Sequence, residues 1–267
     1  MPALIAFDTS TERMSVAMQR GDVVVAREDE AGARASATLL PAILGVLAEA
    51  GMTLADLDAI AFGRGPGAFT GLRASCSVAQ GLAFGAAKPV LPIDSLLAIA
   101  EDARRGAADV RVWALLDARM DQIYAASYAH AEGRWTTRVA PFLTDCDALA
   151  AIWREAPPAI VAGNAIAAFG ARLQTGDATV IPEATPNARA LLRLAERAWL
   201  DGAAVDPTRA LPLYVRDKVA LTEAERAARK GTPKESAAPP RGEGSEAGRE
   251  QSCQAQRMAS PASPAKS

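Results

Sequence analysis

The sequence predicts an α/β fold in which one structural unit occurs twice. Half of the 267 residues are hydrophobic and 22% are charged, so the chain can bury a sizeable core. Short apolar runs of strand length are interleaved with longer stretches of helical periodicity. The order strand, strand, strand, helix, strand, helix, strand, helix can be read once up to residue 105 and again beyond it.

In the first copy, Ala3–Phe7 is a short apolar run ending at Asp8 and reads as a buried strand. Met14–Met18 alternates apolar and small residues, as a half-buried strand does. Arg20-Gly21-Asp22 supplies a turn, and Val23–Ala26 is β-branched enough for a third strand. A helix is predicted from Ser36 to Ala50, with Leu40, Ile43, Leu44 and Leu47 on the face that enters the core. Pro41 is expected in its first turn, where the missing N–H costs nothing, and Gly51 as its stop. Ala59–Phe62 is the next buried strand, Gly63–Gly71 a loop and Leu72–Gly85 a second helix. Val90–Ile93 and Ser95–Arg104 follow as strand and helix.

The second copy opens with strands over Val110–Asp117, Ile123–Tyr128 and Trp135–Phe142. A helix over Asp145–Arg154 follows, with Thr144 or Asp145 as N-cap. Ala159–Ala162 is a strand, Ile166–Leu173 a weak helix, Ala178–Ile181 a strand and Ala188–Leu200 a strong helix. The expected organisation is an N-terminal domain over residues 1–105, a C-terminal domain over 106–230 and a tail over 231–267. Two ribonuclease H-like domains of this kind, with mixed sheets flanked by helices, are the architecture of the actin, Hsp70 and sugar-kinase (ASKHA) superfamily.

Pro212–Arg216 closes the ordered part, and Thr222–Lys230 is expected as a short helix. From Gly231 to Ser267 there is no Leu, Ile, Val, Phe, Trp or Tyr. Such a segment cannot bury enough apolar surface to offset an ordering cost of about 1–2 kcal/mol per residue, so disorder is expected.

Aromatic residues make up only 5% of the chain, and its net charge is −2. That balance argues against a chain that grips nucleic acid alone, because phosphate binding rests on clustered Lys and Arg. Cys76, Cys146 and Cys253 are widely separated, which fits a reducing compartment and neither a disulfide framework nor a zinc site. No signal peptide is read at the N-terminus, and no run approaches the roughly 20 apolar residues that span a bilayer. A cytoplasmic chain without membrane association is expected.

The most informative segment is Gly63-Arg64-Gly65-Pro66-Gly67-Ala68-Phe69-Thr70-Gly71-Leu72-Arg73, which joins a strand to a helix. Glycines permit positive φ and close backbone approach, and Thr70 sits where an N-cap is expected. A loop of this kind before a helix N-terminus can hold phosphate; equally, it can be a tight connection with no ligand. It is neither a P-loop nor a dinucleotide-binding GxGxxG.

The same run resembles the signature loop of the TsaB (YeaZ) family. Further resemblances lie in Asp8-Thr9-Ser10-Thr11 with Ser15-Val16-Ala17, Gln80-Gly81-Leu82-Ala83, Asp117-Ala118-Arg119-Met120 with Ile123-Tyr124, and Leu213-Tyr214-Val215-Arg216. Together they span about Ala3 to Lys230. The resemblance implies a non-catalytic scaffold, or dimerization, subunit of the complex that installs threonylcarbamoyladenosine on tRNA. It implies a TsaD-like catalytic subunit as partner, a TsaE-like ATPase joining them, tRNA and ATP or ADP engaged at the level of the complex, and a homodimer when alone. It places the contact surface on the first two helices.

TsaD-like proteins carry His-x-x-x-His on the first helix, putting two imidazoles on one face for a metal. Here that helix begins Ala35-Ser36-Ala37-Thr38-Leu39-Leu40-Pro41, and the only histidine of the chain is His130, expected as an ordinary exposed side chain. No metal site, intrinsic cofactor or catalytic residue is therefore assigned. The partner face is expected to include Leu39, Ala42 and Val46 of the first helix and Arg73, Ala74, Ser77, Val78 and Gly81 of the second. The alternative is a stand-alone ATP-dependent kinase or phosphatase of the same superfamily, with Asp8 and Asp117 facing the nucleotide.

Overall fold

The computed structural model describes residues 1–30 and 32–216. The tail and the helix expected over Thr222–Lys230 lie outside the described residues. The first half comprises β1 (Leu4–Asp8), β2 (Arg13–Arg20), β3 (Val23–Glu30), α1 (Ala35–Glu49), β4 (Ala59–Gly65), α2 (Phe69–Ala86), β5 (Val90–Asp94) and α3 (Ser95–Arg104). The second comprises β6 (Val110–Arg119), β7 (Gln122–Ala131), β8 (Arg134–Thr144), α4 (Cys146–Glu155), β9 (Ile160–Ala162), α5 (Ala165–Phe169), β10 (Thr179–Ile181) and α6 (Ala188–Leu200).

The repeat read from the sequence is the repeat of the structure. One five-stranded sheet has the order β3-β2-β1-β4-β5 and the other β10-β9-β6-β7-β8, the same arrangement in reverse listing. In both, the first three strands form an antiparallel meander and the last two add in parallel. These are the paired ribonuclease H-like units of the ASKHA architecture.

The two halves interlock. α3 packs on β6 of the second sheet, while α6 packs on β1 and β2 of the first. Leu96, Ile99 and Ala103 of α3 join Val112, Ala114 and Tyr128 in one core, and Leu191, Leu194 and Ala195 of α6 join Leu4, Ala6 and Ala61 in another. Glu101 on α3 ties them further. It accepts from Trp135 Nε1 at 2.8 Å, from Arg193 Nε at 2.7 Å and from both ends of the Arg104 fork. Burial alone would raise its carboxyl, but these donors outweigh that and hold it below the ordinary carboxylate value.

The helices α1 and α2 lie on the outer face of the first sheet, and here the phase differs from expectation. The buried stripe of α1 is Ala35, Leu39, Ile43, Val46 and Leu47, while Leu40 and Leu44 are 41% and 49% exposed. Leu39 and Val46, expected on a partner face, are core residues packed against Phe7, Val16 and Phe62. Pro41 sits inside the helix rather than in its first turn, since α1 already begins at Ala35 after a short 3-10 turn. Its missing N–H falls on the exposed side, at the carbonyl of Ala37.

Candidate functional site

Two regions concentrate the residues singled out from the sequence: the loop between β4 and α2, and the exposed faces of α1 and α2. The loop is shorter than expected. β4 continues through Gly65, the Gly65–Pro66 peptide is cis, and α2 starts at Phe69. Thr70 is thus a residue of the first helical turn, and the N-cap is Ala68, without a side-chain cap.

Close packing explains the glycines. A Cβ on Gly63 would lie 1.7 Å from Asp8 Oδ2, one on Gly67 2.4 Å from the carbonyl of Ser10, and one on Gly71 1.8 Å from the carbonyl of Thr9. Hydrogen bonds fasten the same seam: Ala68 N–H donates to Ser10 O at 2.7 Å, and Thr9 Oγ1 donates to Gly71 O at 2.7 Å. The turn after β1 therefore packs directly against the loop. On the other side, Leu213 N–H donates to Arg64 O at 2.7 Å, and Arg64 pairs with Asp94.

Asp8 takes part in the same seam. It is 1% exposed, and its oxygens accept from Ser10 N–H, Ser10 Oγ and Ser95 Oγ at 2.6–2.7 Å. Burial pushes its carboxyl above the ordinary value, against the pull of those hydrogen bonds. Asp8 is thus enclosed within its own turn and by Ser95. Asp117 ends in a comparable turn, accepting from Arg119 N–H at 2.8 Å and pairing with its guanidinium at 3.2 Å. His130 is buried rather than exposed: Nδ1 lies 2.6 Å from the carbonyl of Ala108, and its ring packs edgewise on Trp135.

The outer face of the helix pair is built differently. On α1, Ala37, Leu40, Pro41, Leu44 and Ala48 are exposed at spacings of three and four residues. On α2, Thr70, Arg73, Ser77, Gly81 and Phe84 form a parallel exposed row, and Phe84 is 59% exposed. Gly81 and Gly85 have open space where a Cβ would stand. Of the residues expected on this face, Arg73, Ser77 and Gly81 lie on it, Ala42 and Val78 are half-buried, and Ala74 belongs to the inner side. The reading missed Leu40, Leu44 and Phe84 as surface groups. A helix as apolar all round as Ala35–Glu49 offers two plausible stripes, and only packing selects between them.

Comparison with known proteins adds the family. The family model described as "TsaD: tRNA N6-adenosine threonylcarbamoyltransferase" matches residues 29–223. The tRNA threonylcarbamoyladenosine biosynthesis protein TsaB of Escherichia coli is 39% identical over 133 residues, which is 49% of this chain and 58% of that protein. The protein of the same name from Haemophilus influenzae is 35% identical over 226 residues, 81% of this chain and 94% of the relative. Among solved structures, YeaZ from Pseudomonas aeruginosa superposes with a TM-score of 0.73 at 36% identity, covering 80% of this chain and all of that one. The two-sheet architecture, the seam of glycines and these alignments agree: the chain belongs to the TsaB (YeaZ) family.

Proposed function

We propose that this chain is a non-catalytic scaffold subunit in the threonylcarbamoyladenosine modification of tRNA, acting by docking a TsaD-like catalytic subunit on the outer face of α1 and α2. The observation that carries the reading is that the helix pair exposes large apolar side chains, Leu40 and Leu44 on α1 and Phe84 on α2, together with the small residues Ser77, Gly81 and Gly85 of α2. Large exposed apolar side chains clustered on adjacent helices mark an interaction surface, and small neighbours let another helix approach closely. A stable complex needs about 1,200–2,000 Å² of total buried surface, within reach of two helices.

The names of the relatives support a role in threonylcarbamoyladenosine biosynthesis, and the match to the TsaD model supports a partner built on the same fold. The TsaE-like ATPase, tRNA and ATP or ADP belong to this proposal as components met in the assembled complex, in the cytoplasm. Among the described residues no helix is long and apolar enough to cross a membrane. Nothing in the comparisons favours a stand-alone kinase or phosphatase.

Light scattering on a mixture of this chain with the TsaD-family subunit of the same genome tests the docking. A one-to-one complex is expected, lost in Leu44→Arg and in Phe84→Arg while the melting temperature of the isolated variants is kept. A complex of unchanged mass in both variants overturns the placement of the interface.

A further inference from the structure

Among the described residues, the helical face carries one charge without a carboxylate partner. α1 contains a single ionisable residue, Glu49, and Arg27 of β3 holds it at 2.8 Å. α2 contains a single ionisable side chain of formal charge, Arg73, and among the described residues no carboxylate pairs with it. Arg73 is nevertheless held in place. Its guanidinium carbon lies 3.8 Å from the centroid of the Phe69 ring, and its Nε donates to Tyr214 Oη at 3.2 Å. Phe69 and Tyr214 stack in turn, with centroids 5.4 Å apart. The backbone next to Tyr214 is fixed as well, because Leu213 N–H bonds Arg64 O. Arg73 is exposed, and its one side-chain hydrogen bond among the described residues is made through Nε, not through its two Nη groups. Arg73 is the fifth residue of α2, near the positive end of the helix dipole, where a cation is disfavoured until an anion arrives.

We propose that Arg73 is a specificity determinant of the docking face, reading a carboxylate that the partner subunit supplies and that a second copy of this chain lacks. The inference rests on the docking reading above and deepens it. A planar guanidinium stacked on one aromatic ring and hydrogen-bonded to a tyrosine hydroxyl loses less freedom on binding, and its fork suits bidentate pairing with a carboxylate. Buried aromatic and Arg groups of this kind dominate interface energetics. A second copy docking through the same two helices could answer only with Glu49, which Arg27 already occupies. The unpaired cation would then be desolvated without compensation, so the face discriminates against its own kind.

Isothermal titration of the TsaD-family subunit into wild-type and Arg73→Ala chains tests this, with sedimentation equilibrium of each chain alone. The expected result is a loss of heteromeric affinity of about tenfold or more, the scale of a charged hydrogen bond. Melting temperature should stay as in wild type, self-association of Arg73→Ala should tighten because the uncompensated cation is gone, and Arg73→Lys should recover only part of the lost heteromeric affinity. Unchanged heteromeric affinity in Arg73→Ala, with affinity abolished in Leu44→Arg, overturns the role of Arg73 and leaves the docking face standing. Self-association of Arg73→Ala that is unchanged or weakened overturns the selectivity. If neither substitution alters binding, the docking face itself is misplaced.

Discussion

Replacing Glu101 with Ala should separate the two halves of the molecule energetically. Its carboxylate is almost fully buried and joins three elements: α3 through Arg104, β8 through Trp135 and α6 through Arg193. Each charge-assisted hydrogen bond contributes about 1.5–3 kcal/mol in isolation. Against this stands the cost of burying the carboxylate, and Arg193 is half exposed, so water recovers part of its solvation. Breaking a buried pair from one side costs about 3–5 kcal/mol, and the exposure of Arg193 places Glu101→Ala near the lower end, at about 3 kcal/mol. For a core of this size about 3 kcal/mol lowers the melting temperature by roughly 6–12 °C. Because the folded carboxyl is held below 4.5, the stabilisation is present above that pH and is lost as pH falls through the depressed value. The penalty of Glu101→Ala should therefore shrink in acid. Denaturant unfolding at pH 7 and at pH 3.5 reads both effects. A variant within about 1 kcal/mol of wild type at pH 7, or a penalty that grows in acid, refutes the clamp.

Other perturbations address the seam and the helix face. Gly71→Ala pushes a methyl into the Thr9 carbonyl and should cost about 1–3 kcal/mol by chemical denaturation, whereas Gly81→Ala, in the helix and with open space, should be neutral or stabilise by about 0.5–1 kcal/mol. The Asp8 carboxyl is raised above 3.8 by burial, so its charge is a growing burden as pH rises from that value. Asp8→Asn, which cannot ionise, should therefore cost more stability at pH 4 than at pH 7; a penalty that rises with pH refutes the assignment. Val46→Arg should fail to fold, while Leu44→Arg should melt with the wild type, a contrast that circular dichroism resolves directly.

The element order and the doubled topology were legible because strand and helix periods differ and because turn residues mark the joins. The apolar run at β4 and the strong amphipathic pattern of α6 each carried its own signal, whereas Met14–Met18, expected as a half-buried strand, is buried on both faces of β2. Motif likeness carried the family through the β4–α2 loop. What was not legible depended on long-range packing. The helix Ala35–Glu49 has apolar residues on all sides, so its phase was chosen by Phe7, Val16 and Phe62, not by itself. The glycines of the loop signal close approach, but the sequence does not say to what; the answer is the Thr9–Ser10 backbone. The Arg73–Phe69–Tyr214 stack joins residues 141 positions apart and leaves no local trace.

The claim that this chain works through the surface it presents, rather than by chemistry of its own, is tested most directly by following threonylcarbamoyladenosine formation on tRNA. The predicted result is no product from this chain alone, product when the TsaD-like and TsaE-like subunits are added, and loss of that product with Leu44→Arg. Group transfer by the isolated chain, or full activity of the mixture with Leu44→Arg, would contradict it.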